Sequence, residues 1–361
     1  MISVTKTYLP DLNLYRAYLD QIWNNNQLTN NGPLYRELCR HLKAYCNIQN
    51  LELVSNGTLA LQLAIKALNL RGEIITTPYS YVATTNAILW EGCEPVFADI
   101  DENSFCINAD LIESAITKQT SAILATHVYG YPCDVRKIDA IAKRHGLKVI
   151  YDAAHAFGVK YHGRSLLAYG DCSAVSFHAT KLFHTAEGGA IVCQDEEVSR
   201  RAFLMSKFGH MGEEAYLDLG INAKMSELHA AMGLCVLPKV DEIISARKQR
   251  SACYDTFLKE SPLQKPMQTP GLDYNYAYYP VVFPSHETMV RARQALLDQG
   301  IGPRRYFYPS LNTLPFLKRE RKQPCPVSEA VAERVLCLPL YPQLEWQDIE
   351  RVCRITLGVL S

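Results

Sequence analysis

Between residues 50 and 240 the chain repeats one pattern: a short apolar run, a turn, then a helix-length stretch. The apolar runs are Leu51–Ser55, Glu73–Thr77, Pro95–Asp99, Ser121–His127, Leu147–Asp152, Ala174–Phe177 and Ala190–Cys193. Most are continuously apolar rather than alternating, as a strand covered on both faces requires. Helix-length stretches lie between them at Thr58–Leu68, Val82–Trp90, Asp110–Thr117, Asp134–His145 and Glu196–Lys207. This order predicts an α/β fold with a mostly parallel, seven-stranded sheet. It also predicts where a ligand belongs, because open α/β sheets bind ligands beyond the carboxyl ends of their strands.

The pattern stops after Met225. Ser226–Arg250 reads as one or two long helices interrupted at Pro238, followed by a Pro- and Tyr-rich stretch and a short α+β tail. The first thirty residues also stand outside the alternation and read as a helix plus an arm against another part or another subunit. The predicted division is therefore an N-terminal arm (1–33), a large domain (34–240) and a small C-terminal α+β domain (241–361).

Composition narrows the class. Lysine plus arginine equals aspartate plus glutamate at 37 each, so nothing in the balance favours nucleic acid or an anionic membrane. The 12 cysteines stand singly in apolar runs without a C-x-x-C pair, which argues against zinc or a disulfide framework. No apolar run approaches the ~18 residues of a membrane span, and no charged and apolar leader opens the chain. These features predict a cytoplasmic protein with reduced thiols.

Chemistry collects at the predicted strand ends. Lys181 follows the run ending at Phe177 and precedes Gly188-Gly189. A lysine there is either a loop residue in solvent or a desolvated amine fit to form a Schiff base. Asp152 ends its own run, where a carboxylate is costly to bury unpaired. It is either a cap or turn residue, or an acceptor for a protonated ring nitrogen. Asn56-Gly57-Thr58 turns a strand into a helix N-terminus, a place that favours phosphate, although the same letters serve ordinary turns. Ser176 is a second small hydroxyl near Lys181. Tyr81 could stack on a flat ring or pack in a core, and His155 could meet that ring or be a turn histidine.

Taken together, these residues describe one ligand. It is flat, cationic at one nitrogen, phosphorylated at the far end, and carries an aldehyde for Lys181. That is pyridoxal 5′-phosphate, for which a Schiff-base lysine and an aspartate at the pyridinium nitrogen are the expected pair. The glycine fingerprints of dinucleotide and nucleotide sites and the H-E-x-x-H of zinc enzymes are absent.

With these residues in hand, the chain resembles the DegT/DnrJ/EryC1/StrS sugar aminotransferases nearly end to end. The resemblance rests on Ser55-Asn56-Gly57-Thr58-Leu59-Ala60-Leu61, Tyr81-Val82-Ala83-Thr84, Asp152-Ala153-Ala154-His155-Ala156-Phe157-Gly158, Ser176-Phe177-His178-Ala179-Thr180-Lys181 and Glu187-Gly188-Gly189. Gly220-Ile221-Asn222-Ala223-Lys224-Met225, leading into Ala230-Ala231-Met232-Gly233-Leu234, adds to it. The resemblance implies a fold-type-I aminotransferase that works as a homodimer with shared active sites. By it, Lys181 binds the cofactor covalently, Asp152 pairs with the ring nitrogen and Tyr81 takes the stacking place. Gly57, Thr58 and Ser176 hold the phosphate, and Asn222 reaches it from the neighbouring subunit. His155 stands where many members carry glutamine, near the ring or its hydroxyl.

The resemblance also implies a reaction. His178-Ala179-Thr180 before Lys181 and Glu187-Gly188-Gly189 after it look like the members that aminate C-4 of a sugar. Leu28–Pro33 and Ser173–Gly189 most resemble makers of dTDP-4-amino-4,6-dideoxyglucose for O-antigen or other surface glycans, with L-glutamate as donor. The galacto epimer and C-3 amination are the alternatives. A cofactor-dependent sugar dehydratase would replace Lys181 with histidine, and a regulator would show a helix-turn-helix or a basic face. Thr29, Asn30, Arg304, Arg305 and Tyr308 are expected near the nucleotide sugar, Arg304-Arg305 being otherwise a solvated pair. Asn312 stands where the family commonly has histidine.

Overall fold

The computed structural model describes residues 1–318 and 323–360. Residues 319–322 and 361, which fall in the predicted small domain, lie outside the described residues. The seven apolar runs form one sheet: β1 (Leu51–Val54), β2 (Glu73–Thr76), β3 (Glu94–Phe97), β4 (Thr120–Thr126), β5 (Lys148–Asp152), β6 (Cys172–Ser176) and β7 (Gly189–Cys193). Their order is β1-β7-β6-β5-β4-β2-β3. Strands β6, β5, β4, β2 and β3 run parallel, and β7 is antiparallel to both of its neighbours.

Why the runs are continuously apolar is visible in the packing. Side chains alternate across a strand, and here both faces are dry. Ile75, Ile123, Ala125, Tyr151 and Val175 join one core, while Ile74, Ala122, Leu124, Ile150 and Ala174 join the other. The first core is closed by α2 (Pro33–Cys46), α5 (Val135–His145) and α7 (Glu227–Val236). The second is closed by α3 (Gly57–Ala67), α4 (Ala83–Trp90) and α6 (Glu196–Met205). Truncating Leu38, fully buried on α2, to alanine would cost about 2–5 kcal/mol.

The predicted helix at Asp110–Thr117 is cut short. One α-turn (Ala109–Ile112) passes into a 3-10 turn (Glu113–Ala115). Only Ala109 and Ile112 are buried there, too little apolar contact to propagate a helix.

The N-terminal segment is tied to the rest of the chain. Helix α1 (Leu12–Asn25) leads to a loop, and the α2 N-terminus is capped by the buried Glu227 of α7, which accepts from the amides of Leu34 (2.8 Å) and Tyr35 (2.9 Å). Ile2–Ser3 pairs in parallel with Ile301–Gly302.

Beyond the sheet, α7 meets α8 (Val240–Leu258) through the Leu237–Lys239 turn that carries Pro238. Helix α8, with α9 (His286–Asp298), α10 (Pro326–Arg334) and α11 (Trp346–Leu360), flanks an antiparallel pair, β8 (Tyr279–Val282) and β9 (Val335–Leu338). Tyr254, Val281, Phe283, Met289, Leu296 and Leu336 are among the residues of its own core. The buried Arg247 of α8 donates to the carbonyls of Tyr276 (3.3 Å), Ala277 (3.1 Å) and Leu340 (3.0 Å). That clamp sets the path of the backbone entering β8. No helix among the described residues is long and apolar enough to cross a membrane, and all twelve cysteines are free thiols.

Candidate active site

At the carboxyl ends of the parallel strands lies a cavity of about 310 Å³. It brings together Gly57, Thr58, Tyr81, Asp152, His155, Ser176 and Lys181. These residues are up to 124 positions apart in sequence (181 − 57), and the strand–turn–helix units carry them to one edge of the sheet.

Lys181 sits in the connection between β6 and β7. The amide of Phe177 donates to Gly188 O (2.8 Å), the amide of Thr185 to Phe177 O (2.9 Å), and the amide of Lys181 to His178 O (2.9 Å). Phe177 and Phe183 are buried and meet edge to face. The double glycine is required by close approach: a Cβ on Gly188 would lie 2.0 Å from Thr185 Oγ1, and one on Gly189 2.6 Å from the Asn56 backbone. Burial lowers the Lys181 amine from its ordinary range, opposed by the charge of Asp152. The lysine is thereby shifted toward the neutral form that a nucleophile or base needs.

Asp152 is only 5 % exposed. Burial raises its carboxyl, and Thr84 Oγ1 (2.7 Å from Oδ2), the Ala154 amide (3.1 Å from Oδ1) and Lys181 oppose that rise. His155 is buried, and its Nδ1 accepts from the Tyr129 amide (3.2 Å), which leaves Nε2 to carry the ring proton. Burial, followed by the charge of Lys181, holds the ring well below the usual histidine range, so it is neutral. Its ring stacks on Phe307 (centroids 5.5 Å apart, 10° between planes). Tyr81 stands at the cavity with 59 % of its surface exposed.

The phosphate-side turn shows a built concavity. Asn56 Oδ1 accepts from the Leu59 amide (2.9 Å). The amides of Gly57 and Thr58 open the first turn of α3, where no intrahelical acceptor exists. A Cβ on Gly57 would lie 2.9 Å from Ser176 Cβ, so only glycine lets the helix start lie against that serine. A helix N-terminus, a serine hydroxyl, a buried carboxylate and a desolvated lysine, all on one cavity, fit pyridoxal phosphate.

The other predicted residues do not join them. Asn222 is exposed and accepts from Lys224 Nζ (2.7 Å). Thr29 and Asn30 are exposed in the loop between α1 and α2, and Arg304 and Tyr308 are exposed. Arg305 turns to the carbonyl of Ala332 (3.0 Å) and to Glu333, and lies over the Tyr308 ring. Asn312 is buried, donating to Gln323 O and Glu329 Oε1, so it serves the local packing rather than the cavity.

Sequence reasoning passed over Tyr278 and Phe307, which with Tyr306 line the cavity from beyond residue 270. Tyr278 Oη accepts from Lys181 Nζ at 3.3 Å. Its only signal was the tyrosine cluster at 274–279, read as small-domain texture. Thr84 stands in the Tyr81-Val82-Ala83-Thr84 motif, which by itself assigns it no task.

The fold and the site define a pyridoxal-phosphate enzyme of the aminotransferase type. The chain belongs to the DegT/DnrJ/EryC1/StrS aminotransferase family, whose model matches residues 13–356, and its cofactor is pyridoxal 5′-phosphate. It is 40 % identical to dTDP-4-amino-4,6-dideoxy-D-glucose transaminase of Shigella dysenteriae over 356 residues, 97 % of each chain. Against the transaminase of that name from Escherichia coli the identity is 39 % over 381 aligned positions, 99 % of this chain and 98 % of that protein. The crystal structure of DesI in the presence of its TDP-sugar product superposes with a TM-score of 0.93 at 32 % identity, covering 99 % of this chain and 93 % of that one.

Proposed function

We propose that the protein transfers the amino group of L-glutamate to C-4 of dTDP-4-keto-6-deoxyglucose, giving dTDP-4-amino-4,6-dideoxyglucose for a surface glycan. The observation that carries the aminotransferase chemistry is the convergence of Lys181 and Asp152 on one cavity. The substrate is supported by the end-to-end similarity to the two transaminases named above.

In this reading Gly57, Thr58 and Ser176 take the phosphate, Tyr81 covers the ring and Lys181 is the covalent anchor. When bound, the cofactor supplies an aldehyde that links amines and a ring that withdraws electrons. Asp152, ionised, keeps the ring nitrogen protonated. His155, neutral with its proton on Nε2, is a hydrogen-bond donor toward the cavity. Once released, Lys181 Nζ takes the Cα proton of glutamate, and in the second half-reaction it delivers a proton to C-4 of the sugar. Because the amino group stays on the enzyme while the keto acid leaves and the sugar enters, the kinetics are ping-pong. Tyr278 receives the Lys181 amine and holds it within the cavity.

The reading includes a cytoplasmic homodimer in which Asn222 reaches the partner's phosphate. It places Thr29, Asn30, Arg304 and Tyr308 toward the nucleotide sugar, and divides the chain at about residues 33 and 240. The test is incubation with dTDP-4-keto-6-deoxyglucose and L-glutamate, followed by NMR of the product. An equatorial amine at C-4 is expected. An axial amine would replace the gluco assignment by the galacto one, and an amine at C-3 would overturn the C-4 reading.

A further inference from the structure

Behind Asp152 lies a row of hydroxyl groups that the reaction as described does not use. Thr126 ends β4 directly opposite Asp152 on β5. Its Oγ1 is 3.1 Å from Ser80 Oγ, which is 2.8 Å from Thr84 Oγ1, which is 2.7 Å from Asp152 Oδ2. All four residues are at least nine-tenths buried.

The direction of the row follows from counting protons. An ionised carboxylate only accepts, so Thr84 gives its single hydroxyl proton to Asp152. Thr84 then has only lone pairs for Ser80, which must donate to it. Ser80 in turn accepts from Thr126. Every donor along Thr126, Ser80, Thr84 therefore points at the carboxylate. Hydrogen bonds so aligned polarise one another, and hydrogen bonds to the charged form favour that form against desolvation. Oδ1 receives the Ala154 amide. Ser80 and Asp152 reach the cavity wall, but all four side chains are nearly fully buried, so each hydroxyl finds its partner within the row.

We propose that Thr84, Ser80 and Thr126 are positioning residues, a one-way hydroxyl relay that keeps Asp152 ionised and aimed at the cofactor's ring nitrogen. This rests on the reading of Asp152 as that nitrogen's partner. The relay would explain why the helix after the Tyr81 turn begins with threonine at its second position. A threonine in a helix usually returns its hydroxyl proton to a backbone carbonyl one turn back. Here the hydroxyl leaves the helix for a carboxylate on β5.

The experiment uses holoenzyme loaded with pyridoxal phosphate labelled with ¹⁵N in the ring, because the ¹⁵N shift reports whether that nitrogen carries a proton. Thr84→Val should move the resonance toward the unprotonated value and lower kcat roughly 10- to 100-fold, the worth of one hydrogen bond to a charged group. KM for glutamate should change less than about threefold, since the lost contact acts on the ring and not on glutamate binding. Thr84→Ser should restore both shift and kcat. Ser80→Ala should move the resonance the same way by less, and it carries the test if Thr84→Val does not fold. A wild-type ¹⁵N shift in the valine variant, or in Ser80→Ala where it stands in, would overturn the relay, provided that Asp152→Asn does move it. A wild-type shift in Asp152→Asn would instead overturn the ring-nitrogen reading itself.

Discussion

The residues named from the sequence fall into two groups in the folded chain. Gly57, Thr58, Tyr81, Asp152, His155, Ser176 and Lys181 share one cavity. Thr29, Asn30, Asn222, Arg304, Arg305 and Tyr308 lie on loops and turns outside it. The first group is held by local grammar: each residue ends a strand, follows one within five positions or opens the next helix, so placing the sheet places them all. The second group has no such frame. On the proposed reading, these residues act through a second copy of the chain or through the substrate. The variants below test how sharp this division is.

The largest effect should come from the centre of the first group. Lys181→Ala should lower kcat by about 10⁴-fold, the upper range for loss of a positioned base, and should abolish borohydride fixation of the cofactor to the chain. Asp152→Asn keeps the shape and loses the charge. It should cost about 10²- to 10³-fold in kcat, the scale of one lost electrostatic stabiliser. Steady-state kinetics with absorbance spectra check both. Turnover near wild type in either variant would dissolve the first group as a catalytic unit.

The next effect lies under the cavity floor. His127 follows Thr126, its amide donates to Asp152 O (3.0 Å), its Nδ1 accepts from the Cys133 amide (3.1 Å), and its ring stacks on Tyr151. Burial lowers its pKa to about 3. The unfolded chain would therefore hold a proton that the folded chain does not, over the window between about pH 3 and pH 6.5. Stability is present above that window and is lost as pH falls into it. At pH 5 this one histidine should cost about 2 kcal/mol relative to pH 7. Urea unfolding of the apoprotein at both pH values should show His127→Gln losing about that much less than wild type. An identical loss in the two proteins would mean that His127 is not the group taking up the proton.

How much of this was legible depends on distance along the chain. Strands β1 to β7 were readable because both faces of the sheet are dry and most of their runs are continuously apolar. Asp152 was readable because it ends such a run, and Lys181 because it follows one closely. Tyr278 and Phe307 were not, since they reach the cavity from beyond residue 270, far along the chain from the strand ends. The path toward Tyr278 is set by Arg247, a buried cation on carbonyl groups, and no local pattern announces such a clamp. Asn222 was legible only as a resemblance, because its expected task lies in another molecule.

That expectation can be broken by mixing. Asn222→Ala alone should weaken cofactor binding about tenfold, the loss of one hydrogen bond to a charged group at the weak end of its range. If the asparagine serves the partner's site, a hybrid of one Lys181→Ala subunit and one Asn222→Ala subunit contains one intact site, with the intact lysine and the intact asparagine contributed by different chains. Its cofactor affinity at the active site should return to the wild-type value. If Asn222 serves its own chain, the only lysine-bearing site of the hybrid stays weak, and the division drawn above moves inside a single subunit.

The smallest effect separates two neighbours that the sequence could not. Arg304 is exposed, with its backbone paired to Cys337 on β9. Arg305 spends its guanidinium on Ala332 O, on Glu333 and over the Tyr308 ring. Arginine recognises phosphate through a free planar fork, and only the first of the two has that fork available. Arg304→Ala should therefore raise KM for the nucleotide sugar severalfold with little change in melting temperature. Arg305→Ala should leave KM nearly unchanged and cost about 1–2 kcal/mol of stability through lost hydrogen bonds and ring contact. The reverse assignment of KM and stability effects would mean that the Arg305 contacts to α10 open when substrate arrives.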